Sequence, residues 1–452
     1  MSPSRRLVAP LVAVLVVAGL VAGSGRPLGS PIRIGAVFPI SSNAASLAGP
    51  ELTGVRIAAD MVNADGGVDG HPVELVERDL PSRGAADAVM QSLRDAGVRL
   101  VIGAYSSDLS IAASDAADKA GLLYWESGAV ADQLTGRGLP MTFRVGASGS
   151  NLGTNSAAFA ADQLASRLGK SVSNLRVAIA VADDAYANSV ADAAQATAAA
   201  RGMPVVVRRS YNLVAPDWPR VMADLKAAKP DVLILASHIP DGIAFRQQML
   251  ASGLKVGALI GSTMAECDPD FAGELGADAI GIFASDRPTA GFQPSALSPE
   301  AASTYARFAT AWAAVAHASG SKGGYGYGDA EYTITGPDAD ATSEQSEEAL
   351  SGFAAAWALF HDVLPSVAQT HVSGTQDAFD AGSVAAAARQ VDLPEGSLPN
   401  GAGLHFSSDP ARLGQNDRAA AVIWQWQAVR SYQFVWPPTY ATGQVAFVPL
   451  AR

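Results

Sequence analysis

Short apolar runs alternate with helix-like segments from Ile32 to Ile260, and this alternation constrains the fold more than any other feature of the chain. The predicted strands are Ile32–Phe38, Val73–Val76, Val98–Ile102, Leu122–Trp125, Leu175–Val181, Val205–Arg208, Val232–Leu235 and Ala258–Ile260. Strands that alternate with helices pair in parallel, and the helices cover both faces of the sheet. Because the alternation comes in two blocks of similar size, it predicts an α/β fold of two doubly wound parallel-sheet lobes.

The segments between these strands carry apolar residues at helical spacing. The predicted helices are Glu51–Ala64, Ala85–Ala96, a helix that begins near Leu109, Asn151–Leu168, Ala187–Ala200, Trp218–Ala228, Gly242–Ser252, Pro299–Ser319, Glu347–Val367 and Ala378–Val391. Residues 321–346 are rich in Gly, Asp, Ser and Thr, which is typical of a flexible insertion. Near the end, the run AAVIWQWQAV from Ala419 is strand-like, and Phe447 with Val448 forms a weak final strand candidate.

Residues 1–25 have the pattern of a secretory signal peptide. Arg5 and Arg6 precede the apolar run Leu7–Ala22, and the small residues that follow suit cleavage. The alternative is an uncleaved membrane anchor, although the run is shorter than the roughly 20 residues of a spanning helix. The chain is therefore expected outside the cytoplasm, in the periplasm or at the cell surface, exported by this leader or tethered by it.

Charge and composition exclude several classes of function. The net charge of −12 argues against a nucleic-acid partner, because an acidic surface cannot neutralise a row of phosphates. The single cysteine, Cys267, excludes an intramolecular disulfide and a cysteine-based metal site.

The sequence contains no constellation that would support catalysis. Gly146–Ser150 is a loop of small residues and not a nucleophile elbow, and the six histidines lack zinc-ligand spacing. Asn63–Gly70 resembles a calcium loop but lacks the bidentate glutamate, and a helix end capped by glycines explains it better. We therefore expect a protein without enzymatic activity, metal or cofactor.

The stretch from Leu100 to Gln133 places two neighbouring strand ends at one sheet edge. Polar loops of small residues, Tyr105–Ser107 and Glu126–Ala129, follow these strands, and open α/β sheets bind ligands at that edge. The two serines precede a helix, whose N-terminal N–H groups would stabilise a carboxylate or a polar carbonyl. The alternative is that the serines only cap the helix, and the residues alone do not decide between these interpretations.

A second set of polar residues follows strands of the second block. Tyr186, His238 and the run Ser262–Met264 each lie just beyond a predicted strand. Taken singly, each fits an ordinary loop position. Together with the first set they predict two groups of strand ends, one per lobe, that face each other across a cleft.

The chain resembles the periplasmic solute-binding proteins of the branched-chain amino acid ABC transporter family, which have the type I periplasmic binding fold. The resemblance covers most of the chain after the leader and is carried by IRIGAVFPIS, VRIAADMVNADGGVDGHPVELVERD, VIGAYSSDLSIAASDAADKAGLLYWESGAVADQLTGRG, FRVG and DVLILASHIPDGIAFRQQMLASGLK. It implies two lobes, joined by three crossovers, that close over one ligand by hinge bending.

The resemblance also implies a division of the chain. The crossovers fall near Phe143-Arg144, Phe283–Arg287 and Leu404–Ser407. Lobe I then comprises residues 31–143 and 287–404, with the flexible insertion inside it, and lobe II comprises residues 144–283 and 407–452.

Site residues follow from the same resemblance, position by position. Ser107 matches the serine that holds the ligand carboxylate, and Ser127–Ala129 match the second loop of that lobe. Tyr186 matches a tyrosine that closes over the ligand, and His238 falls at another aromatic contact. Thr263 stands where amino acid binders carry the glutamate that pairs with the ligand ammonium.

That last difference affects the expected ligand, because burying an ammonium without a carboxylate costs several kcal/mol. Either Glu126, Asp241 or Glu266 replaces the missing glutamate, with Glu126 the first candidate, or the ligand has no ammonium. Trp125 and Glu126 also depart from the small residues usual before this loop. The resemblance therefore implies a binding role, and these differences leave branched-chain specificity open.

The sequence thus predicts an extracytoplasmic solute-binding protein of an ABC importer, which binds a small polar or amphipathic ligand such as an amino acid, an amide or a carboxylate. Its expected partners are this ligand and a membrane permease, and it is expected to be monomeric. The alternative is a ligand-sensing module that signals to a membrane partner. The predicted ligand-binding residues are Tyr105, Ser106, Ser107, Trp125, Glu126, Ser127, Gly128, Ala129, Tyr186, His238, Thr263 and Met264.

Overall fold

The computed structural model describes residues 29–42, 44–262, 269–289, 291–318, 347–370, 379–429 and 431–450. The predicted leader and the insertion at residues 321–346 lie outside these ranges, as do Thr263, Met264, Glu266 and Cys267. Among the helices in the described ranges, none is both long and apolar enough to cross a bilayer.

Lobe I is built on a sheet of five parallel strands in the order β2-β1-β3-β4-β5. The strands are β1 (Ile32–Phe38), β2 (Val73–Asp79), β3 (Leu100–Gly103), β4 (Leu123–Glu126) and β5 (Thr142–Arg144). The helices that connect them are α1 (Ala45–Ala64), α2 (Ala86–Asp95) and α3 (Ser107–Ala120).

Helices cover both faces of this sheet, because successive residues of a strand point to opposite sides. On β4, Leu123 and Trp125 join the apolar core that includes α1, whereas Tyr124 joins the core formed with α2 and α3. All four residues of β3 are buried, as expected for a central parallel strand.

Lobe II is built on seven strands in the order β12-β11-β10-β9-β8-β6-β7. The strands are β6 (Val177–Ala182), β7 (Val205–Tyr211), β8 (Val232–Ala236), β9 (Ala258–Ser262), β10 (Phe283–Asp286), β11 (Val422–Ala428) and β12 (Ser431–Trp436). The helices are α4 (Gly149–Phe159), α5 (Ala165–Arg167), α6 (Ala185–Ala200), α7 (Trp218–Ala228), α8 (Ile239–Ser252) and α9 (Pro269–Leu275), with a π-helical turn at Ala160–Leu164 between α4 and α5. Strand β11 runs antiparallel to both β10 and β12, and the other pairs are parallel.

The chain between β10 and β11 returns to lobe I. Its helices are α10 (Pro299–Ala318), α11 (Glu347–Trp357), α12 (Leu364–Thr370) and α13 (Ala381–Ala388), with a π-helical segment at Ala358–Val363. Helix α11 packs against α1, and α13 packs against β4.

The predicted fold class, two doubly wound α/β lobes, is confirmed. The structure adds short elements that the patterns did not predict, namely β5, α9, β10 and β12. Phe447 and Val448 do not form a strand. The antiparallel strands at one edge of the lobe II sheet were not predicted either, because pairing between β10 and β11 joins segments far apart in the chain.

Candidate functional site

The loop after β3 forms part of the carboxyl edge of lobe I. A side chain at Gly103 would overlap the carbonyl oxygen of Val37 on β1, so the strand can end there only without a Cβ atom. Tyr105 follows in the left-handed region, with φ of 79°, a conformation that non-glycine residues adopt mainly in tight turns. The loop therefore turns sharply into α3.

The two serines of this loop have different bonds. Ser106 is the N-cap of α3, and its Oγ accepts a hydrogen bond from the N–H of Leu109 at 3.4 Å. The Oγ of Ser107 accepts one from the N–H of Ala131 at 3.0 Å, which joins the loops after β3 and β4. A hydroxyl that accepts a bond keeps its own proton to donate, so both serines retain a donor for a ligand oxygen.

Glu126 organises the loop after β4 from inside lobe I. Its buried carboxylate accepts hydrogen bonds from the N–H groups of Gly128 and Ala129, both at 2.7 Å, and from the hydroxyl of Tyr124 at 3.1 Å. Burial raises the pKa of Glu126, and these donors oppose that shift. Since both oxygens accept bonds within the protein, Glu126 is placed to shape the loop and not to meet a ligand ammonium.

Trp125 lies in the core of lobe I and not at the cleft. Its side chain has no exposed area, and its Nε1–H donates to the carbonyl oxygen of Ala355 at 2.8 Å. The rings of Phe143 and Phe406 lie 5.8 and 5.2 Å away. Strand alternation explains the difference from its prediction as a ligand-binding residue, because Trp125 points to the α11 side of the sheet.

Tyr186, near the start of α6, closes part of the carboxyl edge of lobe II. Its hydroxyl donates toward the carbonyl oxygens of Ser237, at 3.1 Å, and Ser262, which end β8 and β9. The ring is 4% exposed and meets the ring of His238 edge to face, with 5.1 Å between centroids. Tyr186 thus joins the ends of three neighbouring elements.

His238 lies between two carboxylates at the same edge. Its Nε2 is 3.1 Å from Oδ2 of Asp184, and its Nδ1 is 3.7 Å from Oδ1 of Asp241. The side chains of His238 and Asp184 are 22% and 27% exposed, whereas Asp241 is buried and accepts a bond from the hydroxyl of Tyr211 at 2.5 Å. Burial raises the pKa of Asp241, and His238 and Tyr211 oppose that shift. Asp184 is therefore the more accessible acid here.

The loop after β4 also connects the two lobes. The N–H of Asp132 donates to Oγ of Ser189 on α6 at 3.0 Å, and the N–H of Gly149 on α4 donates to the carbonyl oxygen of Val130 at 2.6 Å. Helix α3 packs against α6. The helix that begins at Ser107 therefore lies beside the helix that carries the tyrosine of lobe II.

Sequence reasoning missed two arginines that hold this loop. Arg144 on β5 is buried and donates to the carbonyl oxygens of Ala131, at 2.7 Å, and Ala129, at 3.3 Å. Burial lowers the pKa of Arg144 to about 10, so it stays protonated at neutral pH. Arg287, just after β10, donates to the carbonyl oxygen of Gly128 at 2.9 Å. Both stand at predicted crossovers, which was the one available signal.

Sequence reasoning also missed Glu51 on α1. The hydroxyl of Ser127 donates to its Oε1, and its side chain has no exposed area. The feature of the sequence that could have indicated Glu51 is an acid on the apolar side of a predicted helix. Within the described ranges, no group of three or more His, Cys, Asp or Glu side chains has the arrangement of a metal site.

Comparison with known proteins agrees with the fold. The family model of the periplasmic binding proteins matches residues 31–330. The chain is 28% identical over 418 residues to Leu/Ile/Val-binding protein homolog 8 of Brucella abortus, across 92% of this chain and 93% of that protein. It is 32% identical over 249 residues to Leu/Ile/Val-binding protein homolog 7 of Brucella melitensis, across 55% and 62% of the two chains.

Solved structures share the fold. A branched-chain amino acid transporter substrate-binding protein of Streptococcus pneumoniae, in complex with isoleucine, superposes with a TM-score of 0.63 at 18% identity, covering 90% of this chain and all of that one. A solute-binding protein of R. palustris in complex with 4-hydroxybenzoate gives a TM-score of 0.62 at 20% identity, covering 88% and 92%.

These matches confirm the resemblance to the substrate-binding proteins of branched-chain amino acid ABC transporters. The matched proteins bind solutes and are not enzymes, and the family is extracytoplasmic. Two sheets with their carboxyl edges joined by one loop, and a family model that spans more than half of the sequence, lead to the same conclusion: the chain belongs to the periplasmic binding protein family.

Proposed function

We propose that the chain delivers a small amphipathic carboxylate to an ABC importer, and that the ligand binds between the carboxyl edges of the two lobes. The observation that carries this proposal is the start of α3, where two serine hydroxyls and the free N–H groups of the first turn lie at the sheet edge. A carboxylate is stabilised by both the hydroxyls and the positive end of the helix dipole.

The ligands bound in two solved structures of the same fold support a ligand with a carboxylate group. Isoleucine and 4-hydroxybenzoate, the ligands in two structures of the same fold, both combine a carboxylate with an apolar body. They differ in the ammonium group. The fold therefore suits both types of ligand, and the residues of lobe II must select between them.

On the lobe II side, Asp184 is the acid that we assign to a ligand ammonium. Glu126 has no exposed area, and Asp241 is buried against Tyr211 and the N–H of His238. Asp184 keeps 27% of its side chain exposed beside His238. An amino acid ligand would place its ammonium there, whereas an aromatic carboxylate would pack on the ring of His238.

Hinge bending is part of the proposal. The hinges would be the three crossovers near Phe143-Arg144, Phe283–Arg287 and Leu404–Ser407. They would join lobe I, residues 31–143 and 287–404, to lobe II, residues 144–283 and 407–452. Small-angle X-ray scattering tests it: the radius of gyration should fall on saturation with ligand, and an unchanged value would contradict closure.

Export by the leader and interaction with a permease complete the proposal, which treats the protein as a monomer. The ligand is tested by a thermal-shift screen of L-leucine, L-isoleucine, 4-hydroxybenzoate and simple amides, on protein shown to be empty by native mass spectrometry. A ligand that binds only the folded state stabilises it by about 2.7 kcal/mol at one hundred times its Kd. A panel without any stabilising carboxylate would contradict the proposed ligand class.

A further inference from the structure

Glu51 is a buried carboxyl in contact with the candidate ligand loop. It lies on α1, has no exposed side-chain area, and accepts a hydrogen bond on Oε1 from the hydroxyl of Ser127. Within the part of the chain that the structure describes, Oε2 has no hydrogen-bond partner. An unpaired buried oxygen costs free energy, so the presence of an acid at this buried position calls for a physical reason.

The loop and the helices close tightly around this carboxyl. A side chain at Gly128 would overlap Oε2 and would lie 2.9 Å from Oε1, so the loop backbone rests directly on the carboxyl. On the other side, a side chain at Gly352 on α11 would overlap the carbonyl oxygen of Glu51. The position of Glu51 and the path of the loop therefore depend on each other.

A second set of bonds ties the same loop to the predicted second crossover. The Nη1 of Arg287 donates to the carbonyl oxygen of Gly128 at 2.9 Å and to Oγ of Ser351 at 3.0 Å. Ser351 in turn donates to the carbonyl oxygen of Ser127 at 2.6 Å. The loop is thus held by an acid from α1, an arginine from the crossover and a serine from α11.

We propose that Glu51 is a positioning residue that holds the Ser127–Ala129 loop in its binding conformation, and that it does so as a neutral carboxylic acid. The inference rests on the proposed function only in treating this loop as part of the ligand site. The contacts themselves concern the protein without ligand.

The surroundings of Glu51 favour its neutral form. Charged or titratable groups face it from three elements: Tyr124 and Glu126 on β4, Arg287 after β10, and Glu348 on α11. Burial, followed by the charge of Glu126, raises the pKa of Glu51 to about 8, while Ser127 and Arg287 oppose that shift. Glu126 accepts from the N–H groups of Gly128 and Ala129 and from the hydroxyls of Tyr124 and Ser110, whereas Glu51 accepts from Ser127. Of the two acids, Glu51 therefore keeps the proton.

The stability of the loop should fall as pH rises. Because the pKa of Glu51 in the folded protein lies above the ordinary value of 4.5, the stabilisation by its protonated form is fully present below about 4.5 and is lost as pH rises from there through about 8. Above that pH, a buried carboxylate would face Glu126 and Glu348. We therefore expect the loop to open in alkaline solution.

Hydrogen–deuterium exchange of the ligand-free full-length protein tests this inference. Protection factors of the Gly128 and Ala129 amides, corrected for the intrinsic pH dependence of exchange, should fall by roughly tenfold between pH 7 and pH 9 in the wild type. In Glu51→Gln, a neutral isostere, they should stay level. Glu274→Gln, the same change at an exposed glutamate of α9, should behave like the wild type.

Equal falls in the wild type and in Glu51→Gln, or no fall in the wild type, would overturn the inference. Infrared spectroscopy of the wild type in D2O provides a readout that needs no folded variant. A carbonyl band of a protonated carboxyl is expected at pH 7 and should fall to roughly a tenth of its intensity at pH 9, one unit above the pKa of about 8. Absence of the band at pH 7 would also overturn the inference. Because no ligand is present, a failed ligand screen would leave this test unaffected.

Discussion

The carboxyl edges of the two lobes are built in different ways. In lobe I, Glu126 binds the loop N–H groups from inside the protein, and the loop carbonyl oxygens are held by Arg144 and Arg287. In lobe II, His238 and Asp184 pair at the surface and keep about a quarter of their side chains exposed. Lobe I thus offers a fixed backbone, whereas lobe II offers adjustable side chains. Under the proposed function, lobe I would recognise the carboxylate that the candidate ligands share. Lobe II would recognise the ammonium or aromatic group in which they differ.

Replacing Glu126 should lower the free energy of unfolding more than any other change considered. Glu126→Ala leaves two loop N–H groups and the hydroxyl of Tyr124 without their acceptor, and should lower the free energy of unfolding by about 3–5 kcal/mol. Chemical denaturation of the ligand-free protein measures it.

Asp184→Ala is the matched change in lobe II. It removes an N-cap whose Oδ1 accepts from the N–H of Ala187 at 2.8 Å, at an expected cost of about 1 kcal/mol. Equal costs for Glu126→Ala and Asp184→Ala would show that the two edges do not differ in the way described.

Ser107→Ala should affect binding more than folding. Loss of the bond to Ala131 should cost about 1 kcal/mol of stability, and loss of the hydroxyl from a bound carboxylate should weaken binding by about 1–3 kcal/mol. Ser298→Ala is the control, because Ser298 caps the start of α10 by accepting from the N–H of Ala301 at 3.2 Å and is not among the predicted ligand-binding residues. Equal affinities of wild type and Ser107→Ala would show that Ser107 only connects the two loops and does not bind the ligand.

Tyr186→Phe keeps the ring and removes the hydroxyl that bonds the ends of β8 and β9. The expected loss of stability is about 0.5–1.5 kcal/mol, the ordinary value of one neutral hydrogen bond. Calorimetric unfolding of the empty protein measures it. An unchanged melting temperature would show that the Tyr186 hydroxyl does not stabilise the fold.

His238→Gln should change the stability least. Its contact with Asp184 is partly exposed, and such pairs contribute less than about 1 kcal/mol. Its expected effect is on selectivity: the ratio of affinities for L-leucine and 4-hydroxybenzoate should shift, because under the proposed function the ring and its neighbouring acid contact the ligand. A large loss of stability with an unchanged ratio would assign His238 to the interior of lobe II.

The fold could be predicted where the sequence pattern is local. The bounds of β1 and α7 agree with the prediction to the residue, because apolar spacing and flanking breakers define both. The prediction for α1 began at Glu51, where the apolar spacing begins. In the structure the helix begins at Ala45 and includes Pro50. The three-residue strand β5 is too short to show a pattern.

The site could be predicted only in part, for a related reason. The serines at the start of α3 follow from a strand, a break and a helix in sequence. The bonds that shape the neighbouring loop join distant segments, such as Glu51 with Ser127 and Arg287 with Gly128. Trp125 shows the same limit, because the carbonyl oxygen that accepts from its Nε1–H belongs to Ala355, 230 positions later in the chain.

The central claim is that one small carboxylate binds between the two edges. Isothermal titration of ligand-free protein with L-leucine, L-isoleucine and 4-hydroxybenzoate tests it most directly. We predict that at least one of them binds with a stoichiometry of about one, and that Ser107→Ala weakens this binding. No binding of any of the three to folded, empty protein, or binding that is equal in the variant, would contradict the account.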